Sequence, residues 1–268
     1  MRRSFLKLSA GVGLGLLLPA ARADHPLVFG VLNQQSLART AARWNPVLAY
    51  LTQKTGHSLR LSLGPTVDDT NAMMSRGEFD FLFSNHNFQP QFDNLYGVIA
   101  RLAGPSIHGV IAVPDSSPVT RLSDLGGLRV AFPSKDAFVG YAVPMQALKR
   151  VKVKVEPVFA GTQDAALVLL KSGQVSAAAV NSRFLTQFAA KQGLAYRVVY
   201  TSEGFAELPV SAHPRVPAKT VAMVREALLG MATDAEGMQA LAQAEFPGFV
   251  AATEPMYANV RRTYRDAD

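Results

Sequence analysis

Along residues 27–231, apolar positions recur with two different periods, and each change of period marks an element. Residues 27–32 form a short apolar run of the kind a buried strand carries. Leu37, Ala41, Trp44, Leu48 and Leu51 follow at spacings of 4, 3, 4 and 3, the stripe of an amphipathic helix that ends before Gly56. Asn45 and Pro46 read as an N-cap and first-turn proline for it, and Trp44, lying on the stripe, reads as core. Strands are predicted at 59–63 and 79–83, with a helix over 67–76 that Gly77 stops. Further strands are predicted at 96–102, 107–113 and 128–132. A helix at 143–149, a strand at 153–159 and a helix at 163–171 closed by Gly173 come next. After them stand a strand at 175–180, a helix at 183–191 closed by Gly193, and a strand at 196–200. Val221, Val224, Leu228 and Met231 give a last helical stripe over 220–231. Such alternation predicts an α/β fold.

The pattern also repeats. Residues 73–85 and 169–181 share one order, a helix end, a glycine stop (Gly77, Gly173), a strand, and then Asn85 or Asn181. Two halves, beginning at Leu27 and at Leu128, each read strand, helix, strand, helix, strand, which predicts two similar lobes with parallel sheets. Parallel α/β sheets bind ligands beyond the carboxyl ends of their strands. Those ends are 33–36 and 84–87 in one half, and 134–138 and 181–183 in the other. They carry mostly amide, hydroxyl and imidazole groups, a set suited to hydrogen-bonding a small ligand across a cleft.

Composition narrows the classes that remain. At 268 residues, 49% hydrophobic and 18% charged, the chain can bury a full core. Its only prolonged apolar stretch, residues 8–20, is too short and too glycine-rich to span a bilayer. It belongs instead to an export signal over residues 1–23, with a basic start and a small-residue box, Ala21-Arg22-Ala23, so that cleavage follows Ala23. Arg2-Arg3-Ser4-Phe5-Leu6-Lys7 looks like a twin-arginine signature, with an ordinary secretory signal as the alternative. Either address places the mature protein in the periplasm. Of the 27 basic residues, Arg2, Arg3, Lys7 and Arg22 precede Asp24; removing them leaves 23 against 20 acidic, and the formal charge falls from +7 to +3. The rest are scattered, so no phosphate-tracking stripe exists and nucleic acid is not an expected partner. The absence of cysteine excludes disulfides, thiolate metal sites and a cysteine nucleophile. His25, His57 and His213 lie too far apart in sequence for a metal motif, and neither a metal nor any other cofactor is expected.

Several segments occur in a familiar order: Phe29-Gly30-Val31, Trp44-Asn45-Pro46-Val47-Leu48 with Tyr50-Leu51 and Thr55-Gly56, Gly77-Glu78-Phe79-Asp80, Leu122-Ser123-Asp124-Leu125-Gly126-Gly127, and Gly140-Tyr141 before Pro144. Over nearly the whole mature chain this resembles the phosphonate-binding (phosphate, phosphite and phosphonate) family of periplasmic solute-binding proteins of ABC importers. The resemblance implies a two-lobed type II periplasmic-binding fold, each lobe a mostly parallel sheet flanked by helices. It implies hinge segments near 110–113 and 208–212, with lobe one formed by 24–109 and 213–268 and lobe two by 110–212. Related receptors hold phosphonate oxygens with hydroxyl residues at a helix start; the matching positions here are Ala137, Phe138 and Val139. A histidine of the family matches Gln163, and a carboxylate matches Ser176. A small polar or partly aromatic organic ligand is therefore expected ahead of a bare phosphonate, with a weakly charged oxyanion still admissible through backbone N–H groups. A serine in place of Phe138 is expected to improve phosphonate binding.

The candidate ligand-binding residues are Gln34, Ser84, Asn85, His86, His108, Ser134, Lys135, Phe138, Gln163 and Asn181, with Arg183 standing either towards the cleft or solvated at a helix start. No catalytic residue is assigned. The expected function is a monomeric periplasmic receptor that captures a small molecule and delivers it to the membrane permease of an ABC importer. The alternatives are a sensing module that presents its ligand to a membrane sensor kinase and, in third place, an exported enzyme. Against an enzyme stands the lack of a Gly-x-Ser-x-Gly elbow, a His-Glu-x-x-His pair or a nucleotide loop in the mature chain.

Overall fold

Two sheets organise residues 25–267, the part of the chain that the structure, a computed structural model, describes. The expected export signal lies outside the described residues. The first sheet is begun by β1 (Leu27–Val31), α1 (Leu37–Thr55), β2 (Leu59–Ser62), α2 (Val67–Ser75), β3 (Phe81–Phe83) and β4 (Gly97–Leu102). The chain then crosses to the second sheet, built from β5 (Gly109–Pro114), β6 (Arg129–Phe132), α3 (Val143–Arg150), β7 (Glu156–Phe159), α4 (Gln163–Lys171), β8 (Ala177–Asn181), α5 (Ser182–Gln192) and β9 (Tyr196–Thr201). It returns to complete the first with β10 (Pro209–Ala212), α6 (Ala218–Gly230), α7 (Ala235–Ala244), β11 (Phe249–Ala251) and α8 (Ala258–Ala267).

The strand orders are β2-β1-β3-β10-β4-β11 and β7-β6-β8-β5-β9, so the two sheets are laid out alike, with β3 matching β8 and β10 matching β5. The repeat in the sequence is therefore structural. Gly77 and Gly173 hold the same left-handed turn ahead of β3 and β8, at φ +67° and +71°, which a residue with a Cβ adopts only under strain. Parallel pairing is confined to β1, β2 and β3 in one sheet and β6, β7 and β8 in the other. Each strand that follows a crossing, β5 or β10, enters its sheet antiparallel, so the sheets are mixed.

That pattern also fixes where the chain passes between sheets. Residues 110–113 sit inside β5 and 209–212 form β10, both in sheet interiors, whereas the crossings run over 103–108 and 202–208. The crossings pair with each other at Ile107 and Phe205. An apolar run alone does not separate a central strand from a linker, which is why the hinge was expected a few residues off.

α1 begins nine residues before Pro46. Ser36 caps it by accepting the Arg39 N–H at 3.3 Å, and Gly56 ends it in the left-handed conformation. Pro46 lies inside the helix, not at its start. The stripe continues through the proline, with Trp44, Val47, Leu48 and Leu51 all buried, and that burial outweighs one missing helical hydrogen bond. α2 starts with a reciprocal cap between Thr66 and Asp69.

The second sheet is covered on both faces, by α4 and α5 over Leu167, Leu170, Val180 and Leu185, and by α3 over Ile111, Val130, Phe132 and Leu148. The largest apolar cluster runs from Phe29 of the first sheet and Trp44 and Leu51 of α1 through Ile107 and Phe205 of the crossings to Phe138, Val139 and Val143 beyond the second sheet. α8 closes it by packing against α3 and the wide helical turn Phe138–Ala142.

Candidate functional site

The loops that follow all six parallel strands open into one crevice between the sheets. From the first come residues 32–37 after β1, 65–68 after β2 and 85–86 after β3; from the second come 133–139 after β6, 159–163 after β7 and 181 after β8. The β2 and β7 loops were not among the strand ends picked out from the sequence. At four of these ends a helix begins with a capped first turn: Ser36 for α1, Thr66 for α2, Thr162 for α4 and Asn181 for α5. Their N–H groups and positive dipole ends favour electron-rich ligand atoms.

Seven of the ten candidate residues, Gln34, Asn85, His86, Ser134, Phe138, Gln163 and Asn181, line a recess at the back of the crevice, closed by Ile107 and Leu208 of the crossings. The recess has a volume of about 30 Å³, the share of one liquid water. A larger front opening of about 540 Å³ lies between Ser36, Thr66 and Asp68 on one side and Ser134, Lys135, Phe159 and Thr162 on the other. A side chamber of about 320 Å³ adjoins the recess and shares Leu32, Gln34, Asn181 and Leu208 with it.

The remaining three candidates stand elsewhere. Ser84 is buried and turns the chain, its Oγ accepting the His86 backbone N–H at 3.0 Å. His108 lies on the first crossing with its Nδ1 2.9 Å from the Ser202 carbonyl oxygen, tying the two crossings together. Lys135 is at the front opening with its ammonium over the Phe159 ring, 5.7 Å from the centroid. Ser176, before β8, is not among the lining residues.

Within the recess the polar groups are largely engaged with each other. Gln163 Oε1 accepts the Asn181 N–H at 3.0 Å, and Asn181 Oδ1 accepts the Arg183 N–H at 2.9 Å, so the two amides fix the start of α5. Phe138 is buried, edge-on to Phe205 at 4.8 Å and against Tyr264 at 4.9 Å, so its ring belongs to the core between the sheets and offers the crevice little stacking face. A helical pattern cannot tell an apolar residue facing a ligand from one facing a packed ring. Gly109 shows how tightly this region closes: a Cβ there would come within 2.5 Å of the Val139 carbonyl oxygen.

A hydrogen-bonded relay joins α2 and the loop after β3 to the loop after β6. Asn71 Nδ2 of α2 donates to Asp136 Oδ2 at 3.0 Å, which leaves Asn71 Oδ1 to accept from His86 Nδ1 at 3.0 Å. His86 thus carries its proton on Nδ1, and burial pushes its pKa down to about 3, so it meets a ligand as a neutral ring. Asp136 is raised above the usual carboxylate value, first by burial and then by its hydrogen bond and charge repulsion with Asp68 across the crevice. Lys135 pulls the other way. A carboxyl raised in the folded protein opposes folding once it ionises, so this penalty grows as pH climbs from the ordinary value of 3.8 through the raised one. The Asp136→Asn variant is therefore expected to melt higher than the parent at about pH 7 and to lose that gain at about pH 4. An equal difference between the two at both values would overturn this.

The family model described as ABC transporter, phosphonate, periplasmic substrate-binding protein matches residues 29–257. No curated protein matches the chain. Among solved structures, a binding protein component of an ABC phosphonate transporter from Pseudomonas aeruginosa is 16% identical, with 91% of this chain and 87% of that one covered and a TM-score of 0.77. PhnD1 from Prochlorococcus marinus, in complex with methylphosphonate, is also 16% identical, over 90% and 97% of the two chains, with a TM-score of 0.78. A Xanthomonas citri protein bound to ATP is 14% identical over 90% and 96%, with a TM-score of 0.73. At these identities the structures establish the shared two-sheet architecture.

Proposed function

The chain belongs to the family of periplasmic substrate-binding proteins of phosphonate ABC transporters, and from that premise we propose that its ligand is held in the crevice by Asn85, Gln163, Asn181, Gln34 and Ser134. As a member it is a solute-binding receptor that serves an ABC importer, and the family's place is the periplasm. Residues 1–23 act as the export signal, of twin-arginine type, removed after Ala23. The receptor works as a monomer whose two lobes move about the crossings 103–108 and 202–208, and the closed form is what the permease reads. Binding and release need no covalent step.

The observation that carries this reading is the convergence of all six parallel-strand ends on one crevice. The chemistry found there sets the ligand class. Neither an arginine nor a lysine lines the recess, and His86 is neutral, so a dianion would be poorly compensated. Helix starts and amides suit a neutral polar group or a singly charged oxyanion. The recess alone, at about 30 Å³, is too small for an organic ligand, so the ligand extends from it into the front opening or the side chamber.

The test is a thermal-shift and calorimetric panel of methylphosphonate, phosphite, small sulfonates, polyols and aromatic metabolites. A true ligand raises the melting temperature by mass action. Asn85→Ala, which removes an amide without cutting a helix cap, is expected to weaken it about tenfold or more, as loss of a desolvated hydrogen bond does. Saturable binding left unchanged by both Asn85→Ala and Gln163→Ala, or turnover of the ligand, would rule the proposal out.

A further inference from the structure

The side chamber holds what the recess lacks, cationic side chains brought together from both sheets. Arg43 reaches it from α1, beside the first sheet, and Arg183 from the start of α5, beside the second. Glu207, on the second crossing, is 2% exposed and forms an ion pair with Arg183. Arg43 is held in place by neutral acceptors: its Nε donates to the Ala244 carbonyl at 2.8 Å, Nη1 to Gln35 Oε1 at 3.2 Å and Nη2 to the Glu245 carbonyl at 3.2 Å. Its guanidinium lies 4.3 Å from the Phe246 ring centroid. Among the described residues Arg43 makes no ion pair, because the Glu245 carboxylate is bound to Arg39. Glu245 also lines the chamber and its charge acts on Arg43, so three cations, Arg39, Arg43 and Arg183, stand in or beside it against two carboxylates, Glu207 and Glu245. One negative charge is missing, and half-buried guanidinium groups call for it more strongly than solvated ones do.

We infer that the side chamber takes the carboxylate of a small organic monoanion, bridged between Arg43 and Arg183. This rests on the crevice reading, since the chamber opens into the recess beside Gln34 and Asn181. A carboxylate fits because a planar guanidinium presents paired N–H groups that match its two oxygens. The rest of the ligand is an apolar or aromatic body, because Phe184, Phe246 and Leu102 supply the remaining wall. A volume of about 320 Å³ lies at the small end of ordinary metabolite pockets. Closure on such a ligand would place one arginine from each lobe on it and favour the closed form by the difference in affinity between the two states.

Calorimetric titration of the purified protein with benzoate, and with benzyl alcohol and benzylamine as neutral and cationic isosteres, tests this. Benzoate is expected to bind with 1:1 stoichiometry, about tenfold or more tighter than benzyl alcohol, with no binding of benzylamine. Glu207→Gln removes the competing carboxylate and should tighten benzoate about threefold, an effect that a purely structural ion pair does not give. Arg183→Gln alone would strand a buried carboxylate, so the cation is removed in the Arg183→Gln/Glu207→Gln double variant, where benzoate should weaken about tenfold. Absence of saturable benzoate binding, equal binding of benzyl alcohol, or full affinity in the double variant overturns the chamber. If methylphosphonate or another panel ligand then still depends on Asn85, the crevice reading stands without it. Loss of benzoate in Asn85→Ala with no effect of the arginine change would put the carboxylate in the recess and overturn the chamber as well.

Discussion

Phe138→Ser is expected to lower the melting temperature by about 10 °C and to bring no gain in phosphonate affinity. The ring is 3% exposed and packs on Phe205 of a crossing and Tyr264 of α8, so three segments that meet between the sheets share it. Truncating a buried phenylalanine costs about 3–5 kcal/mol in lost transfer energy and cavity, and a buried hydroxyl adds to that when it finds no partner. At roughly 2–4 °C per kcal/mol for a chain of this size, the shift is large and easily read by calorimetry. Phe138→Leu, which refills part of the space, should cost less than half as much. The sequence-based expectation was the opposite, that a serine would restore a hydroxyl grip. A melting temperature within about 2 °C of the parent, with tighter methylphosphonate binding, would return the argument to that expectation.

The contrast between Phe138 and Trp44 shows what a sequence discloses. Trp44 lies on a regular stripe on a long helix, and its ring is 4.7 to 5.1 Å from those of Phe29, Phe83 and Phe246, the last two being 6.5 Å apart. Periodicity sees that kind of burial because one helix face meets one sheet. Phe138 sits in a single wide turn, where the five-residue ring closed by Ala142 N–H on the Ala137 carbonyl at 3.0 Å gives no repeat to read. The strand ends were legible for a similar reason. Gly77 and Gly173 announce the turns into β3 and β8, and the residues after those strands, Asn85 and Asn181, then reach the crevice. Arg43 and Glu207 were not visible. Arg43 is one of two arginines on α1, four residues after Arg39, and Glu207 lies in a stretch with no period. Both gain meaning only when α1, α5 and the second crossing are brought together by the return of the chain to the first sheet.

Arg183→Ala is the second change with a large expected effect, and it separates a structural pair from an ornamental one. An exposed ion pair is worth little, but Glu207 is 2% exposed and Arg183 is half-buried, with burial lowering its pKa below the ordinary arginine value. Removing the cation leaves a carboxylate buried and uncompensated, which costs about 3–5 kcal/mol, or again a fall of about 10 °C. Glu207→Gln added to Arg183→Ala should recover most of that loss, because the amide needs no counter-ion. The deficit of the single variant should also shrink towards acid pH, since an unpaired buried carboxylate relieves its penalty by taking up a proton, so stability falls as pH rises. Thermal melts of the parent, single and double variants at about pH 4.5 and about pH 8 read all of this at once. If the single variant melts with the parent at both values, Glu207 is solvated in the working protein. The second crossing is then not pinned to the start of α5, and the Asn71–Asp136 hydrogen bond remains as a tie between α2 and the loop after β6.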